Sequence, residues 1–295
     1  MNFRISLMLK QRLITGIILL VGFVFATVML PILKYALFIT IIVTIGAWEW
    51  SRFAVFKSIN RFAYVATFLI VLIGLGVRFG LSMNAPQMDV NLLWAVVTAA
   101  AIAWLAMFLF VQGYPRNEDK WNTKTRIGLM GFLTLGSTWS GIIFLKTIVE
   151  TGELVLMLMI SVAAVDVGGF FIGSWFGKRA LAPQLSPKKT WEGVWGGLAL
   201  NMLVAVCCGT YANLYITSLE RWHILVIALM SILVTVFSVT GDLLESMLKR
   251  NCGLKDSGNI LPGHGGVLDR IDGLIAATPI FVIVVLVVIS TTGVG

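Results

Sequence analysis

Nine runs of nearly unbroken hydrophobic residues alternate with short polar stretches along the chain. They fall at roughly 13–30, 32–48, 62–81, 89–111, 127–148, 154–176, 193–217, 222–247 and 273–292. A helix needs about 20 mostly apolar residues to cross a bilayer core, where every backbone group must be satisfied within its own segment. The second run is the shortest, bounded by Pro31 and Glu49. This pattern predicts an all-α, polytopic membrane protein of about nine transmembrane helices. A hydrophobic fraction of 58%, only 12% charged residues and a mean hydropathy of +0.94 exclude an ordinary soluble domain.

The charges add an orientation. With the N-terminus in the cytoplasm, 18 of the 22 basic residues fall on inner stretches, beginning with Arg4, Lys10 and Arg12; Lys34, Arg78, Lys146 and Arg221 lie at or near outer ends. The positive-inside bias therefore predicts nine spans with the C-terminus outside. It also accounts for most of the +8 net charge, so no nucleic-acid partner is needed, whereas anionic membrane lipids are natural neighbours. The basic residues 1–12 lead into an apolar run with no cleavage site, which reads as an anchor. The three cysteines form no disulfide framework: Cys207 and Cys208 lie within a span and Cys252 in a loop. The chain divides into an N-terminal membrane region (1–150, five spans) and a C-terminal region (151–295, four spans). The latter carries cytoplasmic loops at 177–193 and 249–272, where the chemistry is expected.

Residues 242–272 crowd Asp242, Glu245, Asp256, Asp269 and Asp272 together with Lys249, Arg250, Lys255, His264 and Arg270 between the last two apolar runs. Asp242, Glu245, Ser246 and Lys249 share one helical face. A carboxylate inside a spanning helix is costly and faces a polar cavity or a partner. Glu245 and Lys249 have the i,i+4 order of an ion pair. Asp242 lies deeper, beside Gly241 and without a local cation, as a metal ligand would. Asp269 and Asp272 sit one turn apart at the start of the next helix. Helix capping explains one of them but not both. Magnesium takes one or two carboxylates plus phosphate oxygens and water. Asp242 and Asp269 are thus candidate ligands for one magnesium ion, or for two cations clamping an in-line displacement. The glycines of Pro262-Gly263-His264-Gly265-Gly266 let backbone N–H groups approach a phosphate; His264 is expected to orient this turn, and His223 to be structural.

A second polar loop lies on the same side. Ser186, Lys188, Lys189 and Thr190, followed by Trp191-Glu192-Gly193, offer hydroxyls and ammonium groups suited to phosphates, while Lys178 and Arg179 read as ordinary positive-inside charge. Asp166 sits in the middle of the sixth run. Gly169, Gly173 and Gly177 follow it at the four-residue spacing of close helix packing. Trp48, Trp50, Trp121 and Trp222 are placed in the interfacial belt.

Ser246, Lys249-Arg250, Lys255-Asp256, Gly258, Leu261-Pro262, His264-Gly265-Gly266 and Asp269-Arg270-Ile271-Asp272 together closely resemble the signature of the phosphatidate cytidylyltransferases, the CDP-diacylglycerol synthases. The Ser186–Gly193 run with Gly196-Gly197 and the Asp166 segment resemble that family too, so the likeness covers roughly 160–292. It implies an enzyme of the bacterial inner membrane with its active site facing the cytoplasm. That enzyme condenses CTP with phosphatidic acid, releasing pyrophosphate. Asp242, Asp269 and Lys249 would be catalytic, with Asp272 joining Asp242 and Asp269 at the metal. Lys188, Lys189, Lys249 and Arg250 would hold phosphates. Asp166, Ser186, Thr190, Glu192, Ser246, His264, Gly265, Gly266 and Arg270 would complete the substrate site. A homodimer is also implied.

The likeness departs at Val167-Gly168-Gly169-Phe170-Phe171, where the family is expected to carry a small residue followed by Ala-Tyr. A paralog using another phosphorylated lipid, or a CTP-dependent lipid kinase, is therefore the alternative reading. An anionic-lipid transporter ranks below both, because the polar residues have no matching N-terminal copy.

Overall fold

The computed structural model describes residues 2–81 and 88–292, with side chains from Ile14 onward, so the side chains of Arg4, Lys10 and Arg12 lie outside the described set. Within it are nine α-helices: α1 (Asn2–Met29), α2 (Ile32–Phe53), α3 (Ser58–Arg78), α4 (Val90–Gly113), α5 (Lys124–Ile148), α6 (Glu153–Phe176), α7 (Trp191–Tyr215), α8 (Arg221–Asn251) and α9 (Leu268–Thr292). Each predicted run becomes one helix. Helices α2 to α9 are long and apolar enough to span a membrane; the apolar part of α1, Ile14–Met29, is shorter. Polar side chains set several starts. Asp89 accepts from the Leu92 N–H (3.0 Å), Thr123 from Arg126 (3.3 Å) and Thr190 from Gly193 (3.1 Å), each filling one donor that a helix N-terminus leaves open. His223 is structural as expected: its Nδ1 accepts from the Glu220 N–H at 3.1 Å at the head of α8.

The centre of the bundle is α5, which packs on α2, α3, α4, α6 and α9. Its sequence is suited to that place. Glycines and hydroxyl residues leave room for neighbours on every side, and the hydroxyls of Thr134, Thr138 and Ser140 bond back to carbonyls one turn earlier. Around it, α6 pairs with α7 through Gly168, Gly196 and Gly197, α8 packs on α7 and α9, and α4 packs against both α8 and α9. One apolar core runs through all of these contacts, from Tyr35 on α2 to Val288 on α9.

Three features depart from the expected pattern. Residues 178–190 are not a simple loop but hold an antiparallel hairpin, β1 (Ala180–Ala182) and β2 (Ser186–Thr190), pairing Ala180 with Thr190 and Ala182 with Ser186. Helix α2 does not stop at Glu49 but continues to Phe53, and the Glu49 carboxylate is buried against the 257–268 segment. Trp50 and Trp121, placed at the interface by the sequence, are buried instead; the Trp50 indole N–H donates to the Ile127 carbonyl at 2.8 Å.

Candidate active site

Helices α8 and α9 pack tightly at Gly241. A Cβ there would sit 2.9 Å from the Ala276 Cβ and press on the Asp272 carbonyl, so only glycine permits the approach. That approach brings Asp242 and Asp272 together. Asp242 lies nine residues before the end of α8, roughly 13 Å along the helix at 1.5 Å per residue. Its Oδ2 pairs with the Lys189 ammonium of β2 at 2.5 Å, and its Oδ1 receives a long 3.5 Å bond from Ser246. The 189–242 pair joins the two polar loops that the sequence had singled out separately. Asp272 interacts with Asp242, Glu245 and Lys189, and its Oδ1 accepts from the Gly273 N–H at 2.8 Å. Asp166 of α6 is exposed and within electrostatic range of both Lys189 and Asp242.

Asp269 is placed quite differently. Its Oδ1 accepts from Lys249 at 2.6 Å. Its Oδ2 accepts from the Ser257 N–H (2.9 Å), the Ser257 hydroxyl (2.9 Å) and the Gly266 N–H (2.8 Å). Lys249 bridges onward to Glu245 at 3.6 Å. Both oxygens of Asp269 are thus engaged in shaping the loop that precedes α9.

That loop is also gripped from the N-terminal half, which sequence reasoning missed. Glu49, 1% exposed, accepts from the Val267 N–H (3.1 Å) and the Leu268 N–H (2.8 Å), and lies 3.1 Å from the Ser257 hydroxyl, whose single proton it shares with Asp269. Arg52 donates to the Ser257 carbonyl at 2.6 Å, the Cys252 thiol reaches the Phe53 carbonyl at 3.1 Å, and Thr15 on α1 meets the Pro262 carbonyl at 3.4 Å. Burial pushes the Cys252 thiol pKa up, so it stays protonated as a donor. Gly266 fits this grip: a Cβ would lie 2.6 Å from Glu49 Oε2 and collide with the Ser257 hydroxyl. The one sequence signal was Glu49 itself, a carboxylate between two tryptophans at the end of an apolar run.

The remaining candidates line two cavities. Ser186, Lys188, Ser246, Lys249, Arg250 and Lys255 surround one of about 240 Å³. Lys255, Asp256, Asn259, His264, Gly265 and Arg270 face a second of about 530 Å³. Arg270 also donates to the His264 carbonyl at 3.1 Å. Thr190 and Glu192 serve the hairpin: Thr190 caps α7, and Glu192 accepts from the Lys178 and Arg179 N–H groups at 3.0 and 3.2 Å. Gly169 and Gly173 face Gly193 on α7, and Gly177 lies against Thr190, so these glycines pack against their own chain.

Among the described residues no three His, Cys, Asp or Glu side chains form a ready metal cage. Asp242 and Asp272 nonetheless present hard oxygen donors on facing helices, which fits a magnesium ion that draws its other ligands from phosphates and water.

A sequence profile of the cytidylyltransferase family matches residues 10–288. The phosphatidate cytidylyltransferase of Pseudomonas aeruginosa is 40% identical over 276 residues, 93% of this chain and 96% of that protein. The Haemophilus influenzae enzyme of the same name is 37% identical, covering 93% of this chain and 97% of its own length. The one from Bacillus subtilis is 28% identical over 92% of this chain and 95% of its own. With the profile spanning nearly its whole length and full-length relatives above 30% identity, the chain belongs to the cytidylyltransferase family.

Proposed function

We propose that the protein is an integral membrane phosphatidate cytidylyltransferase. The observation that carries this reading is the Lys189–Asp242 pair beside Asp272, joined through Ser246 to a basic cavity lined by Lys188, Lys249 and Arg250. The lipid phosphate of phosphatidate attacks the α-phosphorus of CTP. A new P–O bond forms there, the α,β-anhydride bond breaks, and pyrophosphate leaves with the electron pair. Neither a general base nor a covalent enzyme intermediate is needed, because a phosphate monoester is already largely ionised near neutral pH. Lys189, Lys249 and Arg250 hold the phosphates and offset the charge that grows on the leaving group, while Lys188 at the cavity rim helps bind the triphosphate. Asp242 and Asp272 would hold magnesium, with Asp269 acting on the loop; the bound ion would supply further charge neutralisation. A second cation, if used, would draw on the same carboxylates.

The bias of basic residues toward alternate loops supports a cytoplasmic site with the N-terminus inside, and the bacterial relatives favour the inner membrane. The acyl chains of phosphatidate stay in the bilayer while its headgroup reaches the polar cavity. A homodimer belongs to this reading as well; because Gly169, Gly173 and Gly177 are already packed against their own chain, another face would form it.

The decisive experiment supplies the purified protein in detergent with phosphatidic acid, magnesium and CTP labelled at the α or the γ position. Label from the α position is expected in lipid. Label from the γ position would instead establish a lipid kinase. If neither label enters phosphatidate while another phosphorylated lipid takes the α label, the acceptor assignment is overturned; if no lipid takes either, the transfer reading is.

A further inference from the structure

We propose that Glu49 is a positioning residue for nucleotidyl transfer, holding Lys249 at the reacting phosphates through Ser257 and Asp269. The inference rests on the transfer reading above and adds a role for the N-terminal half of the chain. Glu49 is the start of an unbroken polar series: Glu49 Oε2 to the Ser257 hydroxyl at 3.1 Å, that hydroxyl to Asp269 Oδ2 at 2.9 Å, and Asp269 Oδ1 to the Lys249 ammonium at 2.6 Å. Lys249 lines the basic cavity beside Ser186, Lys188 and Arg250.

A buried carboxylate is normally matched by a cation, and removal from water makes an unmatched one costly. Among the described residues Glu49 has no ion-pair partner; the nearby Arg52 is engaged at the Ser257 carbonyl instead. What offsets its burial is the Val267 and Leu268 N–H groups together with a share of the single Ser257 hydroxyl proton, which lies between Glu49 and Asp269. Capping α9 alone would use only the two backbone donors. The third bond ties the cap to Asp269, and the side chains on either side of Ser257 must then move together. Two glycines keep this joint compact, since a Cβ on Gly258 or Gly266 would strike the Glu49 carboxylate. The lysine that the joint orients has a long, flexible stem and three rotatable donors. Fixing such a group before the substrate arrives is how a remote contact raises the rate of a positioned reaction.

A double-mutant cycle separates positioning from mere support. Glu49→Gln is expected to lower kcat by about tenfold or more with the KM for CTP changed less than about twofold, because Lys249 is displaced rather than lost. In a Lys249→Ala background the same substitution should cost less than about twofold further, since there is no longer an ammonium to position. Ser257→Ala removes the middle of the series while leaving the two backbone bonds of the α9 cap. It should show the same loss and the same disappearance of the loss in the Lys249→Ala background, in a protein that still folds. This second cycle decides the matter if Glu49→Gln does not fold. Equal factors in both backgrounds, or undiminished kcat in folded Ser257→Ala, would overturn the proposal. A fully active Lys249→Ala would overturn it at its other end. Absence of any CTP-dependent transfer by the wild-type protein would instead reject the underlying reaction.

Discussion

Asp242 lies well inside α8 and Asp269 at the start of α9, and the sequence offers both as metal ligands. Their surroundings differ sharply. Asp269 accepts four hydrogen bonds, one from Lys249 and three from the loop that it organises. Asp242 has one cation and one stretched bond from Ser246, and 37% of its side chain remains exposed. A carboxylate whose lone pairs are filled by the protein shapes structure; one with open lone pairs in a cavity is available for an ion or a substrate. The two aspartates should therefore fail in different ways.

The largest effect is expected from Asp242→Asn. Turnover should fall on the order of 10³-fold, as when a charged contact to the reacting phosphates or their ion is removed. The unfolding temperature in detergent should hardly change, because little of the protein leans on that side chain. Asp269→Asn should also lose turnover, by roughly 10²-fold, but with a structural signature. Its amide leaves Lys249 only the 3.6 Å contact with Glu245 and turns an N–H₂ toward donors, costing about 2–4 kcal/mol. Protease cleavage within 252–267 should rise in this variant alone. If Asp242→Asn proves the less stable of the two, the division between them is wrong. Lys189→Ala comes next, with an expected loss in kcat of about 10²-fold, since it removes the cation that faces Asp242; steady-state rates at saturating CTP test it.

How much of this was legible beforehand follows the range of the interactions. The nine helices were readable because an apolar run of spanning length has few other structures open to it. The composition of the site was readable as well, since Asp242, Ser246 and Lys249 share a face by helical period alone. What the sequence could not show was which polar groups meet across the chain. Lys189 and Asp242 come together only because α7 packs on α8, and nothing local in either segment announces it. Glu49 was hidden for the same reason. Its partners lie more than 200 residues away, and beside Trp48 and Trp50 it looked like the edge of a span. Trp50 and Trp121 failed likewise, because burial against α5 or the core cannot be told from a place in the interfacial belt by position alone.

The smallest effect tests the comparison at its finest grain, between adjacent lysines. On β2 successive side chains point to opposite faces, so Lys188 and Lys189 cannot share a role. Lys189 turns inward to Asp242, whereas Lys188 is exposed along the basic cavity with Ser186 and Arg250. A cation at the rim of a cavity attracts a triphosphate similarly before and during the reaction, and such uniform binding appears in KM rather than kcat. Lys188→Ala should therefore raise the KM for CTP by about three- to tenfold with kcat nearly unchanged. The increase should shrink as salt is added, because an exposed charge is screened within about 10 Å at 0.1 M ionic strength. Lys189→Ala should show the opposite division, with kcat carrying the loss. A Lys188→Ala variant that lost kcat instead would place both lysines at the reacting phosphates and undo the two-faced reading of the strand.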